Sequence, residues 1–243
     1  MKTKIFAICI VVCLAVMAIA GASLAYFTAE DSADNVFTMK GIKIKIEEAF
    51  EQNSSLIPGL DINKDVFVTN TGTADAFVRV HIAIPAVLDN GFIHMGLADG
   101  SVADGQWSWL PAYSEGTGYN SEDRNSYTAA IDGINYNVYV VTYRTALSAD
   151  AKTVTQAIDK VCVDTNVDCK WDEAKECFYY TDGNGNTAYP EQYADENGNV
   201  TIKVFAEAAQ TVTFDNAYDA LNTAFGTPGA TDYVAPWNVR GAE

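Results

Sequence analysis

The stretch Phe77-Val78-Arg79-Val80-His81-Ile82-Ala83-Ile84 decides the fold class. Val78, Val80, Ile82 and Ile84 recur at every second position and share one face of an extended chain, with Arg79 and His81 opposite. Strand signals of the same kind continue on both sides. Ile42 to Ile46 alternates isoleucine with lysine, and Asp65 to Asn70 carries Val66 and Val68. Tyr136 to Tyr143 is rich in β-branched and aromatic residues, as expected of a strand covered on both faces. Val200, Ile202 and Val204 alternate with Thr201, Lys203 and Phe205. Turn clusters separate these runs: Pro58-Gly59, Asn70-Thr71-Gly72-Thr73, Asp89-Asn90-Gly91, Asp182-Gly183-Asn184-Gly185 and Glu196-Asn197-Gly198-Asn199. Short strands with frequent turns predict an all-β jelly roll or β-sandwich.

One short C-terminal helix interrupts the pattern. From Asn216 to Phe225, Tyr218, Leu221 and Phe225 fall on one helical face, Asp215 is placed to cap the start, and Gly226 with Pro228 ends it. Residues 164–199 read as an inserted hairpin region, carrying Cys169, Cys177, Trp171 and the Phe178-Tyr179-Tyr180 run. The sandwich domain spans 41–243, and an extended tail begins at Thr227.

The N-terminus reads as an export signal over residues 1–25. Lys2 and Lys4 precede an uncharged apolar run from Ile5 to Gly21, and Ser23-Leu24-Ala25 puts small residues at the cleavage positions, with Tyr26 as the new terminus. The run is near the lower length for spanning a bilayer, but the small-x-small site directly after it favours removal. Cleavage after Ala25 leaves 218 residues (243 − 25), enough for one domain with a real core. Contact with a membrane is expected only through the signal before cleavage.

Net charge is −17, or −19 once the two signal lysines leave. That balance opposes binding to nucleic acid or anionic lipid, which needs basic patches, and fits solubility outside the cell. With 49% apolar residues the chain is not a disordered polyanion.

Catalytic signatures are sparse. The two histidines, His81 and His94, belong to no HExxH pair, and His81 reads as a surface histidine on the polar side of its strand. No GxSxG, phosphate loop or Cys/His nucleophile pairing occurs along the sequence. The Asp182–Asn186 run begins like a calcium loop. It places Thr187 where the loop needs glycine and Tyr193 where it needs glutamate, so a hairpin turn accounts for it better. No catalytic, cofactor or metal residue is assigned. Of the cysteines that outlast the signal, Cys162, Cys169 and Cys177, either all three are free or Cys169 bridges Cys177 across the inserted hairpin.

Three stretches together resemble the TasA/camelysin-like family of exported proteins. They are Ala22-Ser23-Leu24-Ala25-Tyr26-Phe27-Thr28 with Asn35-Val36-Phe37-Thr38; Ile57-Pro58-Gly59 with Lys64 to Val80 through Asn70-Thr71-Gly72; and Val204-Phe205-Ala206-Glu207-Ala208-Ala209-Gln210. The resemblance implies processing by a SipW-type signal peptidase, secretion to the cell surface or extracellular matrix, and self-association into biofilm matrix fibres. In such fibres an N-terminal segment completes the sheet of the next subunit. The matching segment here, Tyr26 to Lys40, carries Phe27, Val36, Phe37 and Met39, apolar residues that a donor strand would bury and a solvated tail would not need. The same segment could pack on its own subunit. Two other readings stand beside the fibre: a camelysin-like metalloendopeptidase, for which the sequence offers no zinc motif, and a monomeric surface binding module.

Overall fold

The computed structural model describes residues 41–50, 56–89, 91–96, 106–110, 112 and 125–238. The expected signal and the donor residues Phe27, Val36, Phe37 and Met39 lie outside them.

Within residues 40–243 the chain is an antiparallel β-sandwich with one short C-terminal helix. The alternating stretch around Arg79 and His81 becomes β3 (Ala76–Pro85), at the centre of a sheet ordered β12 (Lys203–Gln210), β3, β7 (Ile134–Tyr143), β5 (Trp107–Ser108). β6 (Ser126–Ile131) pairs with the first half of β7, on the edge that β5 takes further along. The facing sheet is ordered β1 (Ile44–Phe50), β2 (Asp61–Asn70), β8 (Lys160–Val163), β4 (Ile93–Gly96). Val66 and Val68 of β2 meet Val78, Val80, Ile82, Val141 and Tyr143 of the larger sheet in one dry core. Burying each such side chain contributes about 1.5–3 kcal/mol.

The Asn-Thr-Gly turn after β2 has a specific task. Asn70 is buried; its amide donates to Ala74 O and Leu147 O, and its Oδ1 accepts from Gly72 N. Thr71 N and Thr73 N donate to Lys43 O and Gly41 O, which ties the turn to the approach of β1. A Cβ on Gly72 would stand 2.5 Å from Gly41 O, so only glycine allows this approach.

The inserted region forms a sheet of its own, β11 (Thr187–Ala188), β10 (Cys177–Thr181), β9 (Asp168–Asp172). It is anchored through Val167, Ala188 and Tyr193, which join Leu88, Phe92 and Val161 in a second apolar cluster. Asp182 Oδ1 accepts from Asn184 N and Asn186 N, so its carboxylate closes the β10–β11 turn. Asp195 repeats the arrangement with Asn197 N and Asn199 N.

Two sequence expectations are corrected. First, Arg79 and His81 are not on a solvated face: all ten residues of β3 are buried. The outer side of the sheet is covered by α2 (Ala217–Phe225) and by the tail that follows, through Phe77, Leu221, Tyr127 and Trp237. The preceding α1 (Ala86–Asp89) is a single turn. Second, the helix is capped by Asn216, whose Oδ1 accepts from Asp219 N at 3.0 Å, and not by Asp215. Of the two readings left open for the cysteines, the structure has Cys169 and Cys177 as free thiols. They do lie on adjacent strands, but the register sets Cys169 against Tyr180 and Cys177 against Asp172. The stagger is three residues, about 10 Å of strand, and an odd number, so the two thiols project from opposite faces.

Candidate functional site

Covering β3 on both sides creates the most concentrated polar chemistry among the described residues. Arg79 is 1% exposed, His81 0% and Glu207 6%. The ladder between β3 and β12 sets Arg79 directly opposite Glu207 and His81 opposite Phe205. Arg79 Nε donates to Glu207 Oε2 at 2.5 Å, and its terminal nitrogens donate to Asn222 Oδ1 at 3.0 Å and Gly226 O at 3.1 Å, both at the end of α2. His81 Nε2 is 3.1 Å from the same Glu207 oxygen, and His81 Nδ1 is 3.1 Å from the Tyr127 hydroxyl. Trp237 Nε1 donates to that hydroxyl at 2.9 Å.

The proton placement follows from what each group can do. A carboxylate only accepts, so His81 carries its proton on Nε2 and donates to Glu207. Nδ1 is then an acceptor, and the Tyr127 hydroxyl donates to it. Burial pushes the His81 pKa below its ordinary 6.5, with the Glu207 hydrogen bond opposing, so the ring is neutral. Burial works against the Glu207 carboxylate as well, but His81 and Arg79 together offset that and hold its pKa below 4.5. The network is thus one arginine cation, one carboxylate and a neutral relay, with the hydrogen-bonding groups paired as a buried polar cluster requires.

A cleft of about 850 Å³ opens over the Tyr127 end of this network, between the β6–β7 hairpin and the tail at 229–235. Tyr127, Tyr139 and Tyr233 line it with Ser126, Thr128 and Asn137. Tyr233 stacks on His81 at 6.5 Å between centroids and 3° between planes. Burial pushes the hydroxyl pKa of Tyr233 up to about 12, and that of Tyr127 higher still, so both remain protonated. Below them Asp89 accepts from Tyr139 Oη and Asn137 Nδ2, each at 2.7 Å.

A second constellation arises only from strand pairing. His94 of β4 sits across from Cys162 of β8, which in turn faces Asp61 of β2. His94 Nε2 is 3.1 Å from Asp164 Oδ2. The residue types suit a thiol nucleophile with a base and an orienting carboxylate, yet the thiol is aimed elsewhere, donating to His94 O at 3.6 Å. Burial first and then Asp61 push its pKa above the ordinary thiol value, which leaves little thiolate at neutral pH. Asp61 is already paired with Lys160 Nζ at 2.8 Å. Among the described residues no group of three or more His, Cys, Asp or Glu is arranged to hold a metal.

Sequence reasoning singled out Arg79 and His81 only as the polar side of a strand, and it missed Glu207, Tyr127, Asn222 and Tyr233 as their partners. One signal was present: Glu207 interrupts the alanine-rich run Ala206 to Ala209 at the parity that faces Arg79. The cleavage residues Ala25 and Tyr26 and the four donor-strand residues are outside the described residues, and Cys169 and Cys177 belong to neither constellation.

The fold and site define an all-β antiparallel sandwich protein with a buried Arg–Glu–His network beneath a tyrosine-lined cleft. Compared with known proteins, the chain matches no family model and no curated protein.

Proposed function

We propose that this chain is an exported subunit of an extracellular fibre, in which Tyr26–Lys40 of one copy adds as a strand to the sandwich of the next. The observation that carries the reading is the state of β12. Among the described residues it pairs on one side only, with β3, leaving eight residues of sheet edge. The core beneath it is incompletely closed. Its inward residues Val204, Ala206 and Ala208 are half-covered, whereas Val78, Val80 and Ile82 beside them on β3 are fully buried. An edge with half-covered apolar groups along it is a template for another chain's strand, which supplies backbone hydrogen bonds and apolar side chains together. Phe27, Val36, Phe37 and Met39 supply the apolar content, and the resemblance to TasA/camelysin-like proteins points the same way.

The test is Phe37→Asp in the secreted protein. Placing an unpaired carboxylate in a dry groove costs several kcal/mol, so fibres should vanish in electron microscopy while a soluble β-rich domain with its usual melt persists. Normal fibres from this variant would end the strand-donation reading, and a destabilised monomer would favour self-packing of the segment. N-terminal sequencing of the secreted form should begin at Tyr26.

A further inference from the structure

We propose that the tail at 227–238 is an acid-released strap: it lifts off the outer face of the large sheet as a unit, with His81 as its trigger, while the sandwich stays folded. The inference is separate from fibre assembly, since it concerns a covered sheet face and not a free strand edge.

The way the tail is held makes it separable. Among the described residues its backbone hydrogen bonds are internal, Ala230 N to Thr227 O and Tyr233 N to Ala230 O, and none joins it to a strand. It leaves α2 through Gly226 and Gly229, at φ +86° and +81°, a region that glycine enters without strain. A cleft of about 850 Å³ runs between the tail and the β6–β7 hairpin. Docking therefore falls chiefly to two aromatic side chains. Tyr233 stacks on His81 at 6.5 Å, meets Tyr127 edge-on at 5.3 Å, and has the Arg79 guanidinium 5.9 Å from its ring. Trp237 donates to the Tyr127 hydroxyl at 2.9 Å and meets Phe205 edge-on at 5.7 Å. The Tyr233 hydroxyl is buried beside Tyr127 and Arg79 yet has no hydrogen-bond partner among the described residues, which weakens the closed state. A segment held by side chains, without a ladder, opens at lower free energy than the sheets beneath it.

The strap rests on the buried network, which supplies the trigger. The groups facing His81 are Arg79 on its own strand, Glu207 and Phe205 of β12, Tyr127 of β6, Tyr233 of the strap and, across the ladder, Val140 of β7. α2 reaches Arg79 through the neutral Asn222 and Gly226 O. A proton on His81 Nδ1 sets a second buried cation beside Arg79, with one carboxylate between them. It also turns the acceptor of the Tyr127 hydroxyl into a donor. Burial holds the closed ring below its ordinary 6.5, with Arg79 adding to that and Glu207 opposing. Once the strap lifts, the ring meets water and takes the proton. Opening therefore binds one proton below about pH 6.5, and its equilibrium constant rises up to about tenfold per pH unit. Glu207, whose pKa is also lowered, adds to the effect only below its ordinary 4.5.

The test uses the full protein labelled with fluorotryptophan, which reports on Trp107, Trp109, Trp171 and Trp237. Fluorine NMR from about pH 7 to about 4.5 follows each line, with Trp237 assigned from Trp237→Phe. The Trp237 line should move alone, and its isotope shift between light and heavy water should rise to that of the exposed Trp171, while the core lines of Trp107 and Trp109 hold. His81→Gln keeps a donor for Glu207 and an acceptor for Tyr127 but does not titrate, so its Trp237 line should stay fixed. Tyr127→Phe removes the hydroxyl that Trp237 and His81 share, and should move the transition to higher pH. A wild-type Trp237 line that stays fixed, or moves without gaining isotope shift, overturns the proposal. So does movement of all the tryptophan lines together, a His81→Gln transition like that of the wild type, or an unchanged transition in Tyr127→Phe.

Discussion

Replacing Glu207 with glutamine removes the carboxylate that, among the described residues, faces both Arg79 and His81. Arg79 is 1% exposed, and its remaining partners, Asn222 Oδ1 and Gly226 O, are neutral acceptors. Without the carboxylate, a guanidinium that cannot lose its proton stays desolvated without a counter-charge. Breaking a buried pair in this way costs about 3–5 kcal/mol, and the glutamine carbonyl can still accept from Arg79 Nε, so about 3 kcal/mol is expected. For a domain of this size that lowers Tm by about 6–12 °C, at 2–4 °C per kcal/mol. Thermal and urea melts followed by circular dichroism at neutral pH measure it. The exposed pair Lys175–Glu191, at 2.8 Å, serves as the control: Glu191→Gln should leave the melt unchanged. The double variant Arg79→Met with Glu207→Leu should recover part of the loss, because no unpaired charge then remains although His81 Nε2 loses its acceptor. A Glu207→Gln loss below about 1 kcal/mol would refute the claim that the pair is dry, since that size belongs to exposed ion pairs.

Stability should fall with acid before the carboxylates titrate. The His81 pKa is lowered on folding, so below about 6.5 the unfolded chain binds a proton that the native ring does not, and stability is lost as pH drops. Glu207, whose pKa is also lowered, adds a further loss below its ordinary 4.5; a urea midpoint flat from about pH 7 to 5 would contradict the buried neutral histidine. Asn216→Ala should destabilise by about 1 kcal/mol through loss of the helix cap, while Asp215→Ala should not, as urea titration of both variants would establish. Mass mapping of the non-reduced protein should find Cys162, Cys169 and Cys177 as free thiols, with exposed Cys169 alkylated first and Cys162 slowest.

Local pattern was enough to specify much of this molecule. Alternation placed β3 and the valines of β2, because side chains two apart on an extended chain share a face whatever lies beyond, and a continuous β-branched and aromatic run placed β7. The Asn-Thr-Gly turn, the 182–186 turn and the helix from Ala217 to Phe225 were likewise legible, since capping and turn chemistry act within a few residues. What the sequence could not decide is what covers each face. Arg79 and His81 read as solvated because alternation assigns them to the far side of a strand, and only the return of α2 and the tail, more than 130 residues later, buries that side. Glu207 is 128 residues from Arg79, and Tyr127 is 46 from His81. Strand register, fixed by the packing of whole sheets, sets the first pair face to face. Register also separated Cys169 from Cys177, where nearness in sequence had suggested a bridge: a stagger of three residues on a period of two sends neighbouring thiols to opposite faces.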